Sequence, residues 1–330
     1  MIKQFFNIDQ MNTDVYLEII LRSDPNTVRS LCRTSKTLNA VCKENKERIS
    51  RTLLERYKVD YLDPTNFIYV MNEVTYSKDR KMYDILKLYL EYYNQKIIDC
   101  IRKGITSLPL YPNLVELDCT NNRLTSLPKY KNLVVLNCSQ NKLSRLADYI
   151  HLEKLHCSSN QLTSLPEYKK LEILYCSNNQ LTSLPEYQKL EILYCENNQL
   201  TSLPEYKKLE VLHCSSNRIV PLREYKKLKV LYCLFNRLTS LPKYRNLKVL
   251  DCSYNQLTSL PKYPKLMYLE CSENQLTSLP EYPELKELGC SDSILTNLPT
   301  YPKLEHMLSE TESFGSGYWS EEESDIEDTL

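Results

Sequence analysis

Glycine is almost missing from this 330-residue chain: there are four, Gly104, Gly289, Gly315 and Gly317. So sparse a supply excludes the glycine-rich loops that wrap phosphates and dinucleotides. Histidine is equally scarce at four, and the thirteen cysteines include no C-x-x-C pair, so the converging ligands of a metal site are missing. Net charge is absent as well, since 42 basic side chains balance 42 acidic ones. The balance is uneven along the chain: a small basic excess runs to residue 303, and from Leu304 onward there are nine acidic side chains and no Lys or Arg. Such a scattered excess is not the dense basic stripe that nucleic acid binding requires. No apolar run is long enough to span a membrane, and the opening Met1-Ile2-Lys3-Gln4-Phe5-Phe6 lacks a signal-peptide core. With cysteines this numerous and unpaired in pattern, a reducing compartment is expected, cytosol or nucleus.

What the chain does have is one phrase repeated about eleven times between Ile105 and Leu308. Its cleanest copy starts at Leu181 and runs through Leu184-Pro185, Tyr187, Leu190, Leu193, Cys195 and Asn198 before Leu200 begins the next. Ten cysteines, Cys119 to Cys290, recur every 19 residues without insertion or deletion. A fixed period of this size implies a stacked solenoid, in which each coil buries its apolar side only against its neighbours. Leu193 and Cys195 alternate with Tyr194 and Glu196, the period-two pattern of a half-buried strand, so stacked copies predict a parallel sheet. The asparagine column from Asn122 to Asn274 is expected inside, bonding the backbone of adjacent coils. The prolines of the return half, such as Pro185 and Pro204, predict an extended or turn-like convex side. Eleven tyrosines from Tyr111 to Tyr301 form a further column, read as an outer wall with packed rings and hydroxyls in water, or else as an aromatic binding ladder.

The unit Leu190-x-x-Leu193-x-Cys195-x-x-Asn198-x-Leu200 is similar to the leucine-rich repeat. Its Leu-Thr-Ser-Leu-Pro segment resembles the short-repeat class of bacterial effector ligases, which carry a cysteine-dependent ligase domain after the repeats. No cysteine follows Cys290 here, so that activity is not carried over. The tyrosine column and the 19-residue step look more like repeat proteins of giant DNA viruses of amoebae. The resemblance implies a concave strand face that binds proteins.

Residues 1–104 lack the repeat and read as an α-helical domain. Asp24-Pro25 opens one helix, and another is expected from about Lys81 to Lys103, ending at Gly104 and covering the first coil of the solenoid. Residues 14–42 resemble an F-box, the module that docks a SKP-type adaptor. Leu17, Ile20, Leu21 and Leu31 are the adaptor-facing candidates. The Leu-Pro opening is missing and Leu38 stands where an aromatic is common, so a purely structural helical cap is the alternative. From 309 to 330 the chain reads as a disordered acidic tail. The tail carries the only tryptophan, Trp319, and acid-flanked serines at 320 and 324; a short partner motif and a solubilising tail are both consistent with it.

No nucleophile stands beside an orienting base, so no catalytic residue and no cofactor site is predicted. The variable strand positions carry the functional signal. Preceding each cysteine, the concave face reads His156, Tyr175, Tyr194, His213 and Tyr232 in the central coils, with Leu234, Phe235 and Tyr254 just beyond their strands. Apolar surface on a concave wall marks a candidate partner site, the alternative being that neighbouring rings merely cover one another. Two functions follow: a protein-interaction scaffold, or a ubiquitin-ligase substrate receptor docked through the N-terminal helices.

Overall fold

The structure, a computed structural model, describes residues 95–308 apart from 112, 292–294 and 296–297. The F-box-like segment, most of the helical domain and the acidic tail lie outside the described residues. Twelve short strands follow one another in the chain: β1 Ile97–Asp99, β2 Glu116–Asp118, β3 Val135–Asn137, β4 Lys154–His156, β5 Ile173–Tyr175 and β6 Ile192–Tyr194 in the first half; β7 Val211–His213, β8 Val230–Tyr232, β9 Val249–Asp251, β10 Tyr268–Glu270, β11 Glu287–Gly289 and β12 His306–Met307 in the second. They form a single parallel sheet in sequence order. Every pairing holds the same register, as with Tyr175 opposite Tyr194 and Tyr194 opposite His213, so each sequence column becomes a column in space. Among the described residues the return halves contain no helix, as the prolines required. Nor is any helix of these residues long and apolar enough to cross a membrane.

One expectation is overturned at the first coil. The helix expected to run from Lys81 to Lys103 does not, because Ile97–Asp99 is a strand paired with Glu116–Asp118. Backbone pairing to the next coil continues past it, from the Cys100 N–H to the Asp118 carbonyl at 2.8 Å and from the Arg102 N–H to the Thr120 carbonyl at 3.0 Å. Gly104, at φ 68°, therefore closes a turn of the solenoid rather than a helix.

The interior is filled by leucine. Leu190, Leu193, Leu200 and their equivalents from Leu114 to Leu288 are at most 1% exposed, and Cys119 to Cys271 lie buried among them. Burial raises these thiols well above their ordinary pKa, so they are small apolar side chains rather than nucleophiles. The Cys195 N–H reaches the His213 carbonyl (2.8 Å), the Asn197 N–H reaches the Ser215 carbonyl (3.1 Å), and the Gln199 N–H reaches the Leu181 carbonyl (2.9 Å). The inter-coil ladder thus extends well beyond the three-residue strands.

Two side-chain columns fasten what the backbone leaves open. In the nine coils from Asn122 to Asn274 the buried asparagine sits under the turn that follows the strand. Asn198 Oδ1 accepts the Leu181 N–H at 2.9 Å, while its amide faces the carbonyls of Cys176, Cys195 and Glu196 at 3.0, 3.1 and 3.2 Å. The tyrosine column differs from expectation. Tyr130 through Tyr282 are at most 1% exposed, and their hydroxyls are not in water. Each donates to a carbonyl of the preceding coil, as from Tyr187 to Pro166 and Tyr206 to Pro185 at 3.1 Å. Where the proline is replaced, the bond persists: Tyr168 reaches Ala147 at 3.1 Å and Tyr244 reaches Arg223 at 2.9 Å.

Left-handed backbone explains how the chain manages with so little glycine. Two residues after each strand cysteine from Cys100 to Cys271, a non-glycine residue adopts φ of 51–57°, Asn197 among them. Asparagine and serine fill five of these ten places, which suits their tolerance of this region, and Arg102, Gln140 and Glu273 keep three more polar. Phe235 and Tyr254 are the exceptions.

Candidate binding face

Because strand side chains alternate, the residues one and three places before each cysteine share the face of the sheet turned away from the leucine core. The in-register stacking then brings the sequence candidates together. His156 and Tyr175 stack with ring centroids 4.4 Å apart, Tyr175 and Tyr194 at 4.4 Å, Tyr194 and His213 at 4.0 Å, and His213 and Tyr232 at 4.3 Å. Five rings thus form one continuous pile across β4 to β8. Beside it runs an aliphatic row in which Val211 and Val230 are buried and Ile192 and Val249 pack against them.

The pile partly covers itself. Tyr194 keeps only 8% of its surface exposed, while His156, Tyr175, His213 and Tyr232 are half-buried. Burial lowers the pKa of His156, with Asp118 opposing the shift, so its ring is neutral near pH 7. His213 Nδ1 lies 3.3 Å from Glu196 Oε1, and that carboxylate also accepts from the Ser177 hydroxyl. The edge of the strip is charged and internally paired, with Lys229 Nζ 2.7 Å from Glu210 Oε2.

Leu234, Phe235 and Tyr254 sit past the strands. Leu234 is half-buried, whereas Phe235 and Tyr254 are 50% and 47% exposed and stack on each other at 4.3 Å. They form a second aromatic group, distinct in backbone position from the pile.

Sequence reasoning missed what lies at the C-terminal end of this face. Asp251 and Glu270, next in line after Tyr232, are only 3% and 2% exposed. Glu270 Oε1 accepts from the Ser272 hydroxyl at 2.5 Å and its N–H at 3.2 Å, and Asp251 Oδ1 accepts from the Ser253 N–H at 3.0 Å. Burial drives the Asp251 carboxyl up to about 7 against the pull of the Ser253 hydrogen bonds, and Glu270 adds to the rise. Gly289 completes the arrangement, for a Cβ there would fall on the Glu270 carboxylate. The signal available in sequence was the lone glycine in a column of larger side chains.

Residues 150–189 match the model for two copies of leucine rich repeats, and residues 246–264 match the single leucine rich repeat. These stretches are leucine-rich repeats, and the solenoid that contains them has the corresponding fold. Among solved structures the chain is similar to YopM from Yersinia enterocolitica, at 27% identity and a TM-score of 0.58, covering 75% of this chain. It spans 64% of that YopM chain. The leucine-rich effector protein YopM of Yersinia pestis is 28% identical with a TM-score of 0.53, over 68% of this chain and 81% of its own. A leucine-rich repeat protein of Leptospira interrogans is 26% identical with a TM-score of 0.54, over 66% and 73%. No curated protein sequence matches the chain.

Proposed function

We propose that the chain is a protein-interaction scaffold whose partner lies along the ring pile from His156 to Tyr232, with Leu234, Phe235 and Tyr254 at its margin. The observation that carries this reading is the pile itself: five aromatic rings in successive coils beside an aliphatic row, flanked by polar coils on both sides. Rigid aromatics lose little conformational entropy on contact and dominate interface energies. The likeness to effector proteins of the same fold supports a binding role, and the buried, protonated thiols fit a cytosolic or nuclear setting. Replacing Tyr194 and Tyr232 by Ala should weaken partner capture by about 2 kcal/mol or more. Lys207→Ala with Lys208→Ala, in the exposed turn between Tyr206 and β7, should leave it unchanged. Loss of capture in the lysine variant with the tyrosine variant intact would refute the assignment.

The second reading adds a ligase connection. Residues 14–42 would dock a SKP-type adaptor through Leu17, Ile20, Leu21 and Leu31, making the repeats a substrate receptor. Its support is the F-box-like spacing of those side chains. Purified SKP-type adaptor should bind the full chain and fail to bind a chain lacking residues 1–60. An adaptor that ignores the full chain leaves the scaffold reading alone.

A further inference from the structure

Phe235 and Tyr254 occupy a column that is otherwise polar. The equivalent residues in other coils include Asn178, Asn197, Ser216 and Glu273, all at φ of 52–57°. A bulky ring in left-handed backbone is sterically unfavourable. Here two occur in adjacent coils, about half exposed and stacked at 4.3 Å. Two residues further on, Arg237 and Arg218 are both exposed in neighbouring coils, and neither is ion-paired among the described residues. An aromatic platform followed by two cations in line is a recognition surface for an aromatic residue followed by acidic ones.

The chain itself contains that sequence. After Leu308 come Phe314, Tyr318 and Trp319, then the run Glu321-Glu322-Glu323-Ser324-Asp325, with no Lys or Arg anywhere in the segment. We infer that the segment after Leu308 folds back in cis, seating Trp319 on the Phe235–Tyr254 pair with its acidic run over Arg237 and Arg218.

Reach and direction both fit. Leu308 stands beside Gly289 on the last strand edge, its N–H bonded to the Leu288 carbonyl at 2.9 Å. From there to the coil of Phe235 is four strand spacings, about 19 Å. Eleven residues to Trp319 extend to roughly 36 Å, ample for that distance plus the lateral offset. A segment returning along the sheet meets Tyr254 first, then Phe235, then Arg237 and Arg218. That is the order of aromatic and acidic residues in the segment. The tether keeps the local concentration in the millimolar range, so a contact too weak for a free peptide suffices. The docking stands on these groups alone; its consequence, that the segment competes with a partner for the margin of the ring pile, rests on the function proposed above.

Trp319 is the only tryptophan, so its emission reports on the segment without labelling. In the full chain the emission should be blue-shifted, and acrylamide quenching several-fold weaker, relative to a synthetic peptide of residues 309–330. Phe235→Ser with Tyr254→Ser places the residue of Ser159 and Ser216 in the same backbone conformation, so the fold is kept, and quenching should rise to the peptide's value. Arg218→Gln with Arg237→Gln, the residue at this place in coils such as that of Gln199, should raise it part of the way, as should added salt. Peptide-like emission in the unmodified chain, or protection unaffected by the serine pair, overturns the inference. Protection that disappears on dilution also overturns it, since the occupant would then come from a second copy. Tyr194→Ala with Tyr232→Ala tests the partner reading separately: loss of partner capture with Trp319 still protected upholds both.

Discussion

Asn198 meets four backbone groups with one amide, and three of the four are carbonyls facing its nitrogen. Its Ala variant should lose roughly 3 kcal/mol in urea unfolding, because buried groups are left unpaired. Asn198→Asp should be worse near neutral pH, since it aims an anion at those carbonyls, and should recover on acidification as the carboxyl protonates. Asp251 is a natural counterpart. Its folded-state pKa, about 7, lies above the unfolded value of about 3.9. The folded chain therefore holds an extra proton between those values, and stability from this group is complete below pH 4 and lost as pH rises to 7. The upper limit is on the order of 4 kcal/mol. Burial depresses His156 and slopes the other way below its ordinary value, so the difference between wild type and Asp251→Asn isolates the carboxyl. That difference, read from urea unfolding, should move against the wild type between pH 5 and pH 8; an equal difference at both values would mean that Asp251 titrates freely.

At the level of strand and column, the sequence pattern disclosed most of the coil. Alternation around each cysteine located β2 to β11, and the proline spacing gave the helix-free return half. What escaped was whatever depends on partners across coils. Spacing alone says that tyrosines recur, but not that a carbonyl of the previous coil faces each hydroxyl. It says that His156, Tyr175 and Tyr194 align, but not that their stacking nearly hides Tyr194. β1 escaped for another reason: Lys103 replaces the asparagine of its coil, and Ile97, Ile98 and Ile101 also satisfy a helical period. Cys100, one period before Cys119, was the available clue. The buried hydroxyls carry a prediction of their own. Burial raises Tyr168, Tyr206 and Tyr244 well above 10, so stability from the column holds below that pH and falls as it is exceeded. Spectrophotometric titration should show exposed tyrosines ionising first and the column only together with unfolding. Tyr206→Phe, losing one hydrogen bond, should cost about 1 kcal/mol in urea unfolding.

Across the whole molecule each coil touches only its neighbours, so stability accrues by interfaces rather than through one central core. Excising residues 181–199 removes one full period and joins Gln180 to Leu200, restoring every column. The shortened chain should fold, with a circular dichroism spectrum of the same shape and a modestly lower melting temperature. Removing half a period instead would set leucines against tyrosines and should abolish cooperative melting. The same constancy of register has a consequence at the level of inheritance. Slipped pairing between near-identical copies in a gene adds or deletes whole units, and here a whole unit is also the smallest change the coil accepts. A lineage carrying this sequence can thus lengthen or shorten the row of rings on its sheet, one ring at a time, without passing through an unfolded ancestor.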